Sequence, residues 1–407
     1  MYQQRPVRWR VFLVPALLTA VAYVDPGNFG TNLEAGSTHG YGLLWVVLLA
    51  SVAAAVIQYL AALLGLATGG TLAKLGAEGR SPIARHLSLV QAELVVVMTD
   101  LAELIGGALG LYLLFGVPLP VGACIVGALS IAILAVGRRA GAAWIWVTLG
   151  LLAIVAVAVV TVTASRGVRP GVADGLLPGA LDAPGLLLVT AVVGATVMPH
   201  ALHFHSAVSA DAGGRVAAVS GGRLRGRDPR RRLGWAVVGA MVVAGSVNSA
   251  LVLLGANLPD GVPAGIESAH AALAAHAGPV IATLLGIGLL ASGLASTVVG
   301  VFTGQVVMEG YLHRPVGLWI RRLVAVVPPL VLLALGVDPT AALVASQAVL
   351  ALALPVTLVP LLRLALSARV MGPLRPRLPL RAAAVTLTAL IVTMDVALVG
   401  LVVTGRL

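Results

Sequence analysis

Asp25 and Asn28 lie within a long apolar stretch, VAYVDPGNFG, and together offer a carboxylate and an amide oxygen to a cation. Pro26 and Gly27 between them break a helix, because proline lacks a backbone donor and clashes with the preceding turn, while glycine tolerates the dihedrals of an unwound segment. Backbone carbonyls freed at such a break, that of Ala22 among them, can join the two side chains. A second apolar stretch, AVVGATVMPHALHFHSA, carries Met198, Pro199 and His200 in a comparable setting. Pro199 cannot donate to the carbonyl of Ala195, so that oxygen is exposed as a ligand too. Oxygen ligands alone suit Na⁺, Mg²⁺ or Ca²⁺, whereas the thioether of Met198 is softer and favours first-row transition metals. Methionine is also a common filler of helical cores; its place beside a proline break, opposite an intramembrane aspartate, favours the ligand. Asp25 could merely tie two helices together, yet a charged group at this depth costs at least about 2.5 kcal/mol, so a functional role is the default.

A third apolar stretch adds Glu93, Asp100 and Glu103, at spacings of seven and three that put all of them on one helical face. Such a stripe cannot stay fully ionised cheaply in lipid, and its members can take up and release protons. The plainer reading is carboxylates neutralised by arginines, with Arg321 and Arg322 as partners; both hold together, since a carboxylate and arginine chain is also a proton exit. His200, His203 and His205 follow the second break and fit helix-packing or proton-route imidazoles better than metal ligands. Gln58 and Gln347 are further buried amides suited to lining a path, and Asp395 is expected to make a helix-packing hydrogen bond. The chain lacks a His-Glu-x-x-His motif and any nucleophile and base constellation, so an intramembrane enzyme is not expected.

The elements that must position these groups follow from composition. With 407 residues, 59% hydrophobic and only 10% charged, the chain carries more apolar surface than a soluble domain could hide. A spanning helix needs about 20 mainly apolar residues, and eleven such stretches occur, at 11–38, 41–68, 84–115, 118–137, 142–165, 184–210, 232–256, 268–309, 316–336, 339–366 and 380–404. Arg5, Arg8 and Arg10 before the first stretch resemble a signal peptide, but the apolar run is too long for one and is read as retained. Residues 211–231 have no apolar periodicity and are expected to form a Gly- and Arg-rich loop. Breaks in the first and sixth stretches, five spans apart, suit an all-α polytopic fold of two inverted five-helix repeats, 11–165 and 184–366, with 380–404 outside them.

The formal charge of +11 raises a nucleic-acid binder, but the basic residues alternate by side rather than forming a face with stacking aromatics. Lys74, Arg80, Arg85, Arg138, Arg139, the run from Arg223 to Arg232, and Arg369, Arg375, Arg377 and Arg381 fall in loops of one side. Little beyond Arg166 and Arg169 falls on the other. The positive-inside rule then puts the N-terminus in the cytoplasm and the C-terminus outside. Cys124 is the only cysteine, which excludes a disulfide framework and a cysteine metal cluster.

The segments DPGNFGTNLEAGS, GATVMPHALHFHS and VMTDLAELIG, with QVVMEG and the arginine pair at 321–322, closely resemble the natural resistance-associated macrophage protein family, and in particular its bacterial manganese transporters. That resemblance implies a LeuT-like fold of eleven helices in the bacterial cytoplasmic membrane. It implies import of Mn²⁺, with Fe²⁺ and other divalent transition metals, coupled to protons by alternating access, in a monomer with no resident cofactor. It also implies a metal held at Asp25, Asn28 and Met198 with the backbone oxygens of Ala22 and Ala195, joined by Gln347 in some states. His200, Asp100, Glu103, Arg321 and Arg322 match the family's proton route and gating. Glu34, where glutamine is common, and His203 depart from the pattern. Competing expectations are a sodium-coupled carrier of organic substrates on the same fold, which would need no thioether, and a divalent cation channel, which would present rings of ligands from several subunits.

Overall fold

The computed structural model describes residues 9–139, 143–167, 170–220, 227–312 and 318–405. In chain order the helices are α1 (Arg10–Ala22), α2 (Pro26–His39), α3 (Leu44–Thr68), α4 (Leu72–Ala77), α5 (Pro82–Phe115), α6 (Leu119–Arg139), α7 (Ala143–Arg166), α8 (Ala183–Thr196), α9 (Pro199–Ser220), α10 (Arg227–Ala256), α11 (Ile266–His276), α12 (Pro279–Leu312), α13 (Leu318–Ala334), α14 (Pro339–Leu366), α15 (Ala368–Met371) and α16 (Leu378–Val403). Each of the eleven expected stretches is mainly helical where described, with non-helical residues inside 11–38, 184–210 and 268–309. Among the described residues, eight segments are long and apolar enough to cross a membrane, α8 and α9 together counting as one, and the pair α1 and α2, bent by 58°, makes a ninth; the apolar runs described in α6 and α13, Leu119–Ala132 and Ala325–Ala334, are shorter.

Both breaks fall where proline demands them. Pro26 and Pro199 are the first residues of α2 and α9, the position at which a missing N–H costs a helix nothing. Asp25, in extended conformation, caps α2 by accepting from the amide of Asn28. Across Val197 and Met198 the α8 to α9 join interrupts the helix but bends it by less than 40°, so the two breaks differ in angle.

Helix pairing brings the breaks together. Beyond its break the first span continues as α2, which packs on α10; beyond the other break α9 packs on α3; α8 lies against α14; and α12 packs along α5 and α7. In lipid, helix contacts rest on close packing rather than on water exclusion, and small residues permit the closest approach. Gly36 and Gly255 show this for α2 and α10: a Cβ on Gly36 would stand 2.1 Å from the Val252 carbonyl oxygen, and one on Gly255 would stand 2.3 Å from that of Leu33. Gly106 of α5 plays the same part against Pro26, whose Cβ would lie 2.0 Å from an added methyl.

Two expectations are corrected. The 268–309 stretch is two helices, α11 and α12, separated at Gly278, which takes φ of 95°. The loop expected over 211–231 is largely helical: α9 runs on to Ser220 and α10 starts at Arg227, because the polar stretch extends two membrane helices past the bilayer, where apolar periodicity is not required.

Replacing Gly255 by valine would drive side-chain atoms into the Leu33 carbonyl. Overpacking of this kind costs about 1–3 kcal/mol, and we expect a clear fall in the thermal midpoint of the detergent-solubilised protein, followed by size-exclusion fluorescence. An unchanged midpoint would show that α2 and α10 do not depend on this contact.

Candidate functional site

The two breaks are joined by one side chain. Asn28 Nδ2 donates to Asp25 Oδ1 at 2.8 Å and to the carbonyl of Ala195 at 2.9 Å. The Asn28 backbone amide also donates to Asp25 Oδ1, at 2.8 Å. Ala195 accepts there because Pro199, which would otherwise occupy its helical hydrogen bond, has no N–H. Asp25, Asn28, Ala195 and Met198 are all fully buried. The second carboxylate oxygen, Asp25 Oδ2, is buried with no hydrogen-bond partner among the described residues. Buried polar atoms are nearly always paired, so such an exception calls for a chemical reason.

Gln347 of α14 closes the site from a third side. Its side chain lies so close over Gly27 that an added Cβ would fall 2.0 Å from Nε2. Nε2 donates to Ser346 Oγ at 3.2 Å, which leaves Oε1 buried and unpartnered. The same residue's carbonyl abuts α8, where a Cβ on Gly194 would stand 2.2 Å from it. Ala22 is the last residue of α1 and fully buried. The carbonyls just after it are claimed by other helices, that of Tyr23 by Asn248 Nδ2 at 3.0 Å and that of Val24 by Ser292 Oγ at 2.6 Å.

A second polar region flanks the breaks. Asp100 and Glu103 of α5 are buried and meet at Gly300 of α12, where an added Cβ would lie 2.9 Å from Glu103 Oε2 and 3.3 Å from Asp100 Oδ1. Glu93, on the same face, is only partly buried and stands two turns away, about 10 Å along the axis. The expected stripe is therefore a close pair with an outlier. His200 Nδ1 lies 3.2 Å from Thr99 Oγ1 on α5, which links the second break to this pair. His205 Nδ1 lies 2.9 Å from Gln58 Oε1, and Gln58 in turn donates to the Tyr23 hydroxyl beside the first break. His203 is buried and leaves Nδ1 without a partner. No grouping of three His, Cys, Asp or Glu residues suited to a metal occurs among the described residues. The side chains of Arg321 and Arg322 lie outside the described residues.

At the end of the bundle opposite Lys74 and Arg230, Glu34 and Glu267 both feel the charge of Asp338. Partial burial, and then that neighbouring carboxylate, hold the Glu267 carboxyl above its ordinary range. His39 Nε2 and Asp182 Oδ1 approach to 3.8 Å, His39 ending α2 and Asp182 capping α8.

Sequence reasoning did not find Asn32, whose Nδ2 lies 3.5 Å from Asn28 Oδ1. Its spacing of four from Asn28 would have put it on the same face. Asn248, Ser292 and Thr99 carry no such signal, since only the packing of their helices brings them to the breaks. The hydrogen bond expected of Asp395 is not formed: both carboxylate oxygens are buried without a partner among the described residues, because the neighbouring side chains on that face of α16 are apolar.

Comparison with known proteins follows this geometry. Residues 16–401 match the model of the natural resistance-associated macrophage protein-like family. The divalent metal cation transporter MntH of Mycobacterium tuberculosis is 42% identical over 374 residues, covering 88% of this chain and 84% of that protein. MntH of Bacillus subtilis is 38% identical over 370 residues, 89% of this chain and 85% of its own. Among solved structures, the Eremococcus coleocola manganese transporter superposes with a TM-score of 0.81 at 28% identity, over 95% of this chain and 85% of that one. A nucleobase-cation-symport-1 family transporter in a closed conformation superposes with a TM-score of 0.60 at 16% identity, over 98% of this chain and 92% of that one, which is a likeness of fold alone.

Asn28→Ala would remove the donor shared by Asp25 and Ala195; Asp25 Oδ1 keeps the backbone amide of residue 28, and the buried Ala195 carbonyl is left unsatisfied. That costs about 1–3 kcal/mol, so the thermal midpoint of the metal-free protein should fall, and more than in Asn32→Ala. Equal midpoints for the two variants would contradict the bridging role.

Proposed function

The chain belongs to the natural resistance-associated macrophage protein-like family of membrane transporters, and from that premise we propose that it imports Mn²⁺, with Fe²⁺ and related divalent transition metals, in symport with protons by alternating access. The observation that carries the reading is the Asn28 amide held between Asp25 Oδ1 and the Ala195 carbonyl, beside an Asp25 Oδ2 with no partner. A cation attracted to these acceptors competes with the amide N–H groups for them. Rotation of the Asn28 side chain by half a turn exchanges its donor for its carbonyl oxygen, and the site then offers a carboxylate, an amide oxygen and a peptide oxygen. Met198 adds the thioether, and the Ala22 carbonyl and Gln347 Oε1 complete the set.

Stripping water from a divalent ion is expensive, and Mg²⁺ gives up its shell most reluctantly. A thioether repays little of that cost for a hard ion and more for Mn²⁺ or Fe²⁺. The proton follows the second polar region, from Asp25 and His200 toward the Asp100 and Glu103 pair, with Glu93 and His205 at its margins and Arg321 and Arg322 as counter-charges. The charge of the arriving metal drives the proton from Asp25 into that route, so that both ions move inward together, which is the physical basis of coupling. Two inverted repeats, 11–165 and 184–366, supply the rocking parts; the reciprocal pairing of α2 with α10 and α9 with α3 supports this division. Terminal orientation follows the charge asymmetry, N-terminus in the cytoplasm of a bacterial cell, and a monomer is sufficient.

Uptake into proteoliposomes, with and without an inward proton gradient, tests the assignment. Asp25→Ala should lose uptake altogether. Met198→Ala should keep transport but lose preference for Mn²⁺ over Ca²⁺ by about tenfold or more. Normal uptake by the first variant, or undiminished discrimination by the second, would refute the ligand set; gradient-independent uptake by the wild type would remove proton coupling.

A further inference from the structure

The lipid-facing side of α3, α10 and α16 carries a feature that the transport site does not use. A recess of about 420 Å³ is lined by Tyr59, Arg230, Arg231, Pro376, Arg377 and Leu380. Beside it lies a second recess of about 350 Å³ that shares Tyr59, Arg231 and Leu380 and is otherwise walled by apolar residues, Val56, Trp235 and Val238 among them. Arg230, Arg231 and Arg377 form no ion pair among the described residues. Nε of Arg230 is buried without a hydrogen-bond partner, as is Nε of the adjacent Arg381. Arg230 and Arg377 also direct their field at the Tyr59 hydroxyl.

Three guanidinium groups gathered with no carboxylate paired to them among the described residues repel one another, and an anion among them relieves that repulsion. Guanidinium forks fit phosphate oxygens bidentately, and Tyr59 adds a hydroxyl donor at the same level. The neighbouring recess states what kind of anion this is. From Arg231 to Val238 the groove follows α10 for two turns, about 10 Å, into the apolar zone. Trp235 and Val238 line it while 60% and 44% exposed, a surface made for hydrocarbon. Gly234 leaves the floor open to the Tyr59 ring, whose Cε2 would stand 3.6 Å from an added Cβ. A soluble anion would use the first recess and leave the second unused.

We infer that this double recess is a binding site for an anionic glycerophospholipid, its phosphate held by Arg230, Arg231 and Arg377 with Tyr59, and one acyl chain laid along α10 past Trp235. The site joins the start of α10 to the start of α16. Through α10 it touches the partner of α2, the half-helix that carries Asn28, so an occupying lipid braces the helix against which the broken span packs. The inference requires only that the chain spans a membrane, and it stands apart from the identity of the transported ion.

Trp235 is a built-in reporter. The protein is reconstituted in phosphatidylcholine bilayers containing a minor fraction of phosphatidylglycerol or phosphatidylcholine brominated in the acyl chains, and the Trp235 contribution is isolated by difference against Trp235→Phe. Brominated phosphatidylglycerol should quench that contribution at a mole fraction about tenfold lower than brominated phosphatidylcholine. In the triple variant R230Q/R231Q/R377Q the two curves should coincide. Should the triple variant fail to give monodisperse protein, Arg231→Gln alone, on the exposed rim, should narrow the gap by about threefold. Coincident curves in the wild type, or a gap that survives neutralisation of the arginines, would overturn the site. Coincident lipid curves together with a Trp235 emission that shifts on adding millimolar inorganic phosphate would assign the first recess to a free anion and overturn the lipid.

Discussion

A helix broken inside a bilayer leaves backbone groups that no water will satisfy, and most polar contacts at the centre of this protein answer that demand. Pro26 and Pro199 create the deficit, and donors from other helices meet it: Asn248 for the Tyr23 carbonyl, Ser292 for that of Val24, and Asn28 for that of Ala195. The last of these is different in kind, because Asn28 comes from one break and serves the other. A single amide therefore adds a hydrogen bond between two half-helices, α2 and α8, whose main packing partners differ, α10 for the first and α14 for the second. Whatever displaces that amide acts on both half-helices at once. This is the physical content of the transport site proposed between the two breaks.

The surrounding scaffold is built for close approach. Glycines at 36, 106, 194, 255 and 300 stand where a methyl group would strike a carbonyl, a proline ring or a buried carboxylate. Such contacts define a small number of packings and resist intermediate ones, since close-packed interfaces switch between arrangements more readily than they deform. The satisfied carbonyls of Tyr23 and Val24 hold the break in place, whereas Asp25 Oδ2 and Gln347 Oε1 keep free acceptor capacity. Stability and function are thus divided between neighbouring atoms of one short segment.

Charge is arranged along the membrane normal as well as at its centre. Arginines collect at one end, around Tyr59 and the starts of α10 and α16, and carboxylates of Glu34, Glu267 and Asp338 gather at the other. An acidic mouth favours the approach of cations, and a basic end favours the anionic headgroups of the leaflet it faces. The excess of basic residues in the chain therefore has a membrane explanation in position and in chemistry.

Much of this was legible in the sequence, and the reason is that lipid simplifies the code. Apolar runs of spanning length can only be helices there, so their positions followed from composition; proline and glycine inside such runs marked the breaks; and a carboxylate, an amide and a thioether at those breaks marked the candidate site. The angle of each break was not legible, because proline removes a hydrogen bond without dictating the bend, and one break turned by 58° while the other bent by less than 40°. Nor was the split of 268–309 at Gly278, where a single positive φ outweighs continuous hydropathy. Only the tertiary structure chose Asn248, Ser292 and Thr99 as the partners of the breaks, drew Asp100 and Glu103 together at Gly300 while leaving Glu93 apart, and left Asp395 without its expected partner. Those outcomes depend on which helices touch and at what register, and residues far apart in the chain carry no local signal of a meeting that is set by packing alone.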